Sequence, residues 1–332
     1  MNKTSIEWCD FTVNPIRFKP HGSERTTTMC QIKSPGCQNC YAATIVRRFW
    51  PKNAHTPFKG FTALGVASGE FVLDEKQLKS VLKYKKPCKI FWGDMTDIFG
   101  EWVPSWMIDA CFAVCALTPH ITHMFLTKRP ERMLAYYKDL EKAANEWAPK
   151  TNNGTFSCSD VLNLRHLSRH TIDRRTYAEA FPYHPWPMPN IWVGTSCENQ
   201  KYADERIPIL CQVPAKVHFI SAEPLIGEID LDWPKTIYPD GPPMCCSGVD
   251  CGCHGLPTDP PLCHGLQWAI VGGESGPKAR PMDAAWMRSL RGQCQHWRVA
   301  FFAKQMGSVY GEHKGKDLPD DLNIRQFPGD LT

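Results

Sequence analysis

Lys89-Ile-Phe-Trp-Gly-Asp94, the stretch Ser105 to Leu117, and Ile121-Thr-His-Met-Phe-Leu-Thr127 follow one another directly along the chain. The first and third are short, mostly apolar, and rich in β-branched and aromatic residues, as buried strands are. Between them Ile108, Cys111, Phe112 and Cys115 recur at helical spacing. A strand, a helix and a second strand in this order predict two parallel strands joined by a crossover.

The pattern repeats downstream. Asn190-Ile-Trp-Val-Gly-Thr195, Val217-His-Phe-Ile-Ser221, Gln267-Trp-Ala-Ile-Val271 and Val299-Ala-Phe-Phe-Ala303 read as further buried strands. Helical patterns fall at Pro130 to Trp147, which opens on proline, at Ala203 to Gln212, and at Asp283 to Trp297, where the aspartate is an N-cap. The expected class is α/β, either a full or partial (β/α) barrel or a doubly wound open sheet. The strands end in small and polar residues: Gly93-Asp94-Met-Thr-Asp97, Thr127-Lys-Arg129, Thr195-Ser196-Cys-Glu198-Asn199, Ser221-Ala-Glu223 and Gly272-Gly273-Glu274-Ser-Gly276. Parallel β/α sheets bind ligands at the C-terminal ends of their strands, so these endings are expected to line one pocket.

Upstream, Ile6 to Pro15 is expected to hold a short strand stopped by the proline, and Lys19 to Met29 a polar loop. That loop leads into Cys30-Gln-Ile-Lys-Ser-Pro-Gly-Cys37-Gln-Asn-Cys40-Tyr41, three cysteines in eleven residues, with a helix expected from Tyr41. Thiols packed this tightly point to metal. Three thiolates can hold an iron-sulfur cluster and leave one iron without a protein ligand, as a catalytic centre requires. A closed zinc site would need Cys9, His21 or His55 as a fourth ligand.

At 332 residues, 42% hydrophobic and 22% charged, the chain can bury a full core, and it reads as one domain over 1–332. A net charge of +4 does not by itself identify a nucleic-acid partner. Without a signal-like N-terminus or a long apolar span, a cytoplasmic location is expected. There the sixteen cysteines are expected to be metal ligands and buried apolar residues, not disulfides. Two insertions interrupt the alternation. Residues 150–189 carry Arg165, His166, Arg169, His170, Arg174 and Arg175, read either as a phosphate-contacting face or as an ordinary solvated helix. Residues 234–266 carry Cys245, Cys246, Cys251, Cys253, His254, Cys263 and His264 among glycines and prolines. So little apolar material there suggests order supplied by zinc, with a second iron-sulfur site or a disordered loop as alternatives.

Several segments together resemble the phage-associated three-cysteine-motif proteins, which are grouped with radical S-adenosylmethionine (radical SAM) enzymes. These are Trp8 and Asn14-Pro15, Ser34-Pro-Gly-Cys-Gln-Asn-Cys-Tyr41, Thr127-Lys-Arg-Pro-Glu-Arg132, Asn190-Ile-Trp-Val-Gly194, Cys197-Glu-Asn-Gln200, Ala222-Glu-Pro-Leu225, Gly272-Gly-Glu-Ser-Gly276, Ala279-Arg-Pro-Met282 and Phe301-Phe-Ala-Lys-Gln305. The resemblance implies a partial (β/α) TIM-type barrel of the radical SAM kind with a Cys/His-rich insertion. It implies a 4Fe-4S cluster on Cys30, Cys37 and Cys40, S-adenosyl-L-methionine on the open iron, and a 5'-deoxyadenosyl radical that takes hydrogen from substrate. Asp94, Ser196, Glu198, Glu223, Gly272, Gly273 and Glu274 are the expected cofactor- or substrate-binding residues. Six residues part the first two cysteines where the common radical-enzyme pattern has three, and Asn39 stands where an aromatic is usual.

The function expected on this basis is radical modification or isomerisation of a base substituent in phage DNA, such as an amino-acid-modified pyrimidine. It would take place in the host cytoplasm if the chain is phage-encoded, with a nucleic acid or nucleotide as substrate and an external electron donor. The alternative is a non-catalytic, zinc-stabilised nucleic-acid-binding protein.

Overall fold

The computed structural model describes residues 1–49, 69–147, 187–231, 265–276, 278–308 and 317–330. The basic residues 165–175 and the seven cysteines and histidines from Cys245 to His264 lie outside these. In chain order the described elements are β1 (Asn2–Lys3), β2 (Phe11–Val13), β3 (Ile16–Pro20), α1 (Tyr41–Phe49), β4 (Gly69–Leu73), α2 (Glu75–Leu82), β5 (Cys88–Trp92), α3 (Ser105–Ala116), β6 (Ile121–Thr127) and α4 (Pro130–Trp147). They continue with β7 (Ile191–Ser196), α5 (Gln200–Leu210), β8 (Val217–Ala222), β9 (Trp268–Gly272), α6 (Ala284–His296) and β10 (Ala300–Gln305).

The fold is mixed α/β. One eight-stranded sheet has the order β1-β2-β5-β6-β7-β8-β9-β10, and β3 and β4 form a separate pair. The pairs β2–β5, β5–β6, β8–β9 and β9–β10 are parallel, as alternating strands and helices require, and the short β1 lies antiparallel to β2. All six strands expected from Lys89 onward are present within a residue or two. The β3–β4 pair is not expected from sequence. It buries Ile16 and Phe18 and sets Phe18 against Phe71 at 5.3 Å, but β3 is flanked by proline and its partner lies far along the chain.

The chain divides into two compact units. One contains Met1–Lys33, Ala42–Trp192 and Val213–Lys216, and the other Ser34–Tyr41, Val193–Gln212 and Val217–Thr332. In the first, α3 is buried along nearly its whole length because its apolar residues run round the helix. Phe112 packs against Phe125 at 5.0 Å, Tyr136 at 5.3 Å and Tyr137 at 5.6 Å, and Trp92 stacks on Phe125. Asn14 pins the corner after β2. Its backbone N–H and C=O bond the Gln77 side-chain amide, and its own side chain accepts from Met95 N and donates to Asp94. In the second unit Trp268 lies between Phe219 at 5.6 Å and Phe327 at 5.2 Å, and its indole N–H donates to the Gln326 carbonyl. Gly194 is needed for that packing, since a Cβ there would sit 2.5 Å from the Phe219 ring. No helix among the described residues is long and apolar enough to cross a membrane.

A buried polar chain stiffens the first unit. Trp92 Nε1 donates to His123 Nδ1 at 3.0 Å; Nδ1 is therefore the acceptor and Nε2 carries the proton toward Thr118 Oγ1, 2.9 Å away. Thr118 Oγ1 donates in turn to the Val114 carbonyl. Burial lowers the His123 pKa to about 3. The unfolded chain therefore takes up the proton first, and the stability His123 contributes is present above pH about 6.5 and is lost as pH falls toward 3.

Two outcomes follow. Phe112→Ala should destabilise the first unit by about 3–5 kcal/mol in urea unfolding, the cost of an emptied aromatic site. Unfolding titrations from pH 6.5 to 4 should show stability falling with a slope up to about 1.4 kcal/mol per pH unit steeper in the wild type than in His123→Gln.

Candidate functional site

In the first unit the ends of β5 and β6 converge on Asp97. Its Oδ1 accepts from Thr127 Oγ1 at 2.7 Å and Phe99 N at 3.0 Å, and its Oδ2 accepts from Lys128 N and Arg129 Nη1, both at 3.1 Å. Arg129 is only 2% exposed; its Nε donates to Glu101 at 2.6 Å and its guanidinium lies 4.7 Å from the Trp102 ring. Burial alone would lower the Arg129 pKa, but the charges of Asp97 and Glu101, with a smaller contribution from Cys30, raise it. The residue before Cys30 is tied to the same strand end, because Thr96 Oγ1 donates to the Met29 carbonyl. Asp94, expected at the cofactor, accepts the Asn14 side-chain N–H at 2.5 Å.

The rest of the cysteine stretch, Ser34–Tyr41, belongs to the second unit. A 3-10 turn at Pro35–Cys37 is closed by Cys37 N–H to the Ser34 carbonyl, and a second turn by Cys40 N–H to the Cys37 carbonyl. Cys37 and Cys40, three residues apart, are both half-buried. Two carboxylates at strand ends hold the turn. Glu198, after β7, is fully buried and accepts the Gly36 N–H at 3.1 Å and Arg206 Nη1 at 3.1 Å. Arg206 Nη1 also donates to the Ser196 carbonyl at 2.7 Å, and its guanidinium lies 4.2 Å from the Tyr202 ring. Glu274, after β9, accepts from Asn39 Nδ2 at 2.9 Å and from Arg280 through Nε at 3.0 Å, Nη2 at 2.5 Å and the backbone N–H at 2.8 Å. Burial alone would raise the Glu274 pKa; the hydrogen bonds from Arg280 and Asn39 reverse this and hold it below the usual carboxylate range.

The remaining expected residues divide similarly. Glu223 pairs with Lys304 and accepts from Gln305 Nε2 at 3.3 Å. Gly273 is dictated by the backbone just past β10, since a Cβ would meet the Met306 carbonyl oxygen at 2.3 Å, while the Gly272 carbonyl accepts the Leu225 N–H. Ser196 is buried and contributes its carbonyl to Arg206. Asn39, Arg206 and Arg280, the residues that complete the turn's support, are absent from the sequence-derived set. The one available signal was Asn39 standing where the radical-enzyme pattern has an aromatic.

The donor set bears on what these thiols can bind. Among the described residues, no three His, Cys, Asp or Glu side chains, Cys30, Cys37 and Cys40 included, converge closely enough to hold a metal ion. Three buried donors of the second unit, Ser34 Oγ, Arg206 Nη2 and Arg291 Nε, have no hydrogen-bond partner among the described residues; the first two belong to the turn and its support, and donors of this kind suit an anionic group. By contrast Glu198 and Glu274 do not fit the role of free carboxylates awaiting an amine. A cavity of 490 Å³ in the first unit, lined by Lys3, Cys9, Asp10, Tyr84 and Cys88 among others, opens at the N-terminal starts of β2 and β5. Of the expected ligands only Cys9 lines it, and none of the strand-end residues does.

Comparison with known proteins corrects the family assignment. No curated protein and no solved structure matches the chain. The family found is neither the phage-associated three-cysteine-motif family nor any radical S-adenosylmethionine family. Short motifs scattered along a chain are a looser criterion than a pattern matched along its length, and the full-length match takes precedence. Matched over residues 3–327, the chain belongs to the family described as protein of unknown function (DUF5131).

Proposed function

We propose that this protein is an iron-sulfur enzyme of the radical S-adenosylmethionine type, with Cys30, Cys37 and Cys40 as thiolate ligands of a 4Fe-4S cluster, built on a partial (β/α) barrel. The observation that carries the reading is the anchoring of the Cys37–Cys40 turn by buried carboxylates from the C-terminal ends of β7 and β9. Those are the ends at which parallel β/α sheets assemble their sites. When loaded, the cluster would supply the electron for reductive cleavage of S-adenosylmethionine. The chain's part is to fix the thiols: Glu198 and Glu274 hold the turn of Cys37 and Cys40, and the Arg129 cluster lies beside the strand end to which the Cys30 segment is tied. A base substituent in DNA remains the proposed substrate, supported by the Arg165–Arg175 segment in the sequence, and an external electron donor the proposed partner.

Anaerobic reconstitution should give a brown protein with about four irons per chain. Cys37→Ala should abolish the cluster, and reduction in the presence of S-adenosylmethionine should release 5'-deoxyadenosine. A colourless, zinc-only protein that never cleaves the cofactor would overturn the reading and favour a zinc-stabilised nucleic-acid binder. Mass spectrometry of DNA nucleosides from cells with and without the protein tests the substrate, and unchanged nucleosides with the precursor modification present would exclude DNA.

A further inference from the structure

Glu274 ends the Gly272-Gly273-Glu274 segment, where a carboxylate at a strand end invites assignment as the anchor of a cofactor amine. We infer instead that Glu274, Arg280 and Asn39 are positioning residues, which hold the Cys37–Cys40 turn ready for ligation and leave Glu274 no contact with a cofactor. The inference rests on the iron-sulfur reading above and names what makes that centre possible.

Hydrogen-bond capacity is the first ground. An ionised carboxylate offers about four lone-pair sites. Glu274 Oε2 accepts from Asn39 Nδ2, Arg280 N and Arg280 Nε, and Oε1 accepts from Arg280 Nη2. The residue is 5% exposed. Oε2 is filled by its three donors, and an incoming ammonium group could reach only the second lone-pair site of Oε1, beside the Arg280 guanidinium and with almost no exposed surface to approach through.

The second ground is the amide of Asn39. One of its two N–H groups donates to Glu274, and the other to the Lys278 carbonyl at 2.8 Å. The flipped amide would set Oδ1 against two oxygens, so the orientation is decided by its neighbours. An aromatic side chain could satisfy neither acceptor. Asparagine before the last cysteine is thus matched to a carboxylate that is already paired.

The third ground is where these bonds fall along the turn. Arg280 Nη2 donates also to the Pro35 carbonyl at 3.1 Å, so one ion pair grips the turn at residues 35 and 39 while Glu198 takes Gly36 between them. Ser34-Pro-Gly-Cys-Gln-Asn-Cys40 contains no large apolar side chain that burial could hold. Fixing its backbone costs conformational entropy, and here charge-assisted hydrogen bonds offset that cost.

The test reads the turn and the cluster separately. Hydrogen exchange at residues 36–41 is measured on the iron-free full chain, for wild type, Asn39→Ala, Asn39→Asp and the exchanged pair Asn39→Asp/Glu274→Gln. Reconstituted iron and the electron paramagnetic resonance spectrum of the reduced cluster are then recorded for each. Asn39→Ala should speed exchange in the turn about tenfold, the scale of one lost bond to a charged group, with core protection unchanged. It should also lose most of its iron and broaden the cluster spectrum. Asn39→Asp should be worse, because it sets carboxylate against carboxylate, and adding Glu274→Gln should restore neither turn protection nor iron, because the glutamine amide turns an N–H on an Arg280 donor and the aspartate still faces the Lys278 carbonyl. Unaltered turn exchange in both single variants would overturn the inference. So would a Glu274→Gln protein that keeps wild-type exchange and iron but no longer binds S-adenosylmethionine in equilibrium dialysis. Because exchange is read without iron, a wild type that never takes up a cluster would sink the iron-sulfur reading and still leave the positioning role decided by its own measurement.

Discussion

The support of the cysteine turn depends on one ion pair, buried Glu274 with the partly exposed Arg280. Bidentate geometry fixes the guanidinium plane, and its remaining contact reaches the Pro35 carbonyl, while the carboxylate reaches Asn39. A strand end and a loop otherwise distant in sequence are joined by charged groups and their hydrogen bonds. Such a pair contributes little net stability, because desolvation offsets much of the Coulomb attraction, but it is costly to break by removing one partner. That asymmetry suits a device whose task is a defined geometry.

The Glu198–Arg206 pair repeats the construction from the polar end of β7, two strands away. Here the carboxylate is fully buried, its arginine is covered by Tyr202, and the acceptor completing the arrangement is the Ser196 carbonyl. Both pairs combine a strand-end glutamate with an arginine some residues further along. In the first unit Asp97 and Arg129 do the same across the ends of β5 and β6. The recurrence explains why the strand ends carry acidic residues. A parallel sheet leaves backbone N–H groups and loop carbonyls at its rim, and paired charges satisfy many of them at once.

Much of the fold was legible in the sequence because its signals are local. Ile121 to Thr127 is apolar enough to be a buried strand in any context, and Pro130 and Asp283 mark helix starts by their own chemistry. The β3–β4 pair was not legible, since Ile16-Arg-Phe-Lys-Pro20 becomes a strand only when residues 69–73 lie beside it. For the site, the cysteines and the strand-end carboxylates were legible as residue types. Their partners were not: nothing in the run from Ala279 to Met282 says that Arg280 will meet both Glu274 and Pro35. Spacing reveals which groups are present, and pairing decides what remains free to act.

That distinction bears most on Gly272-Gly273-Glu274. As a string of letters it suggests exposed backbone and an available carboxylate. In the fold, Gly273 is small because the backbone at Met306 lies against it, and Glu274 is acidic because an arginine and an amide must be satisfied. Each residue has a structural cause sufficient to explain it. A carboxylate with four donors around it is electrostatically spent, and its influence on chemistry passes through what it holds in place. Whatever occupies the thiols of Cys37 and Cys40 therefore feels Glu274 as geometry, through Asn39 and the turn, before it feels it as charge.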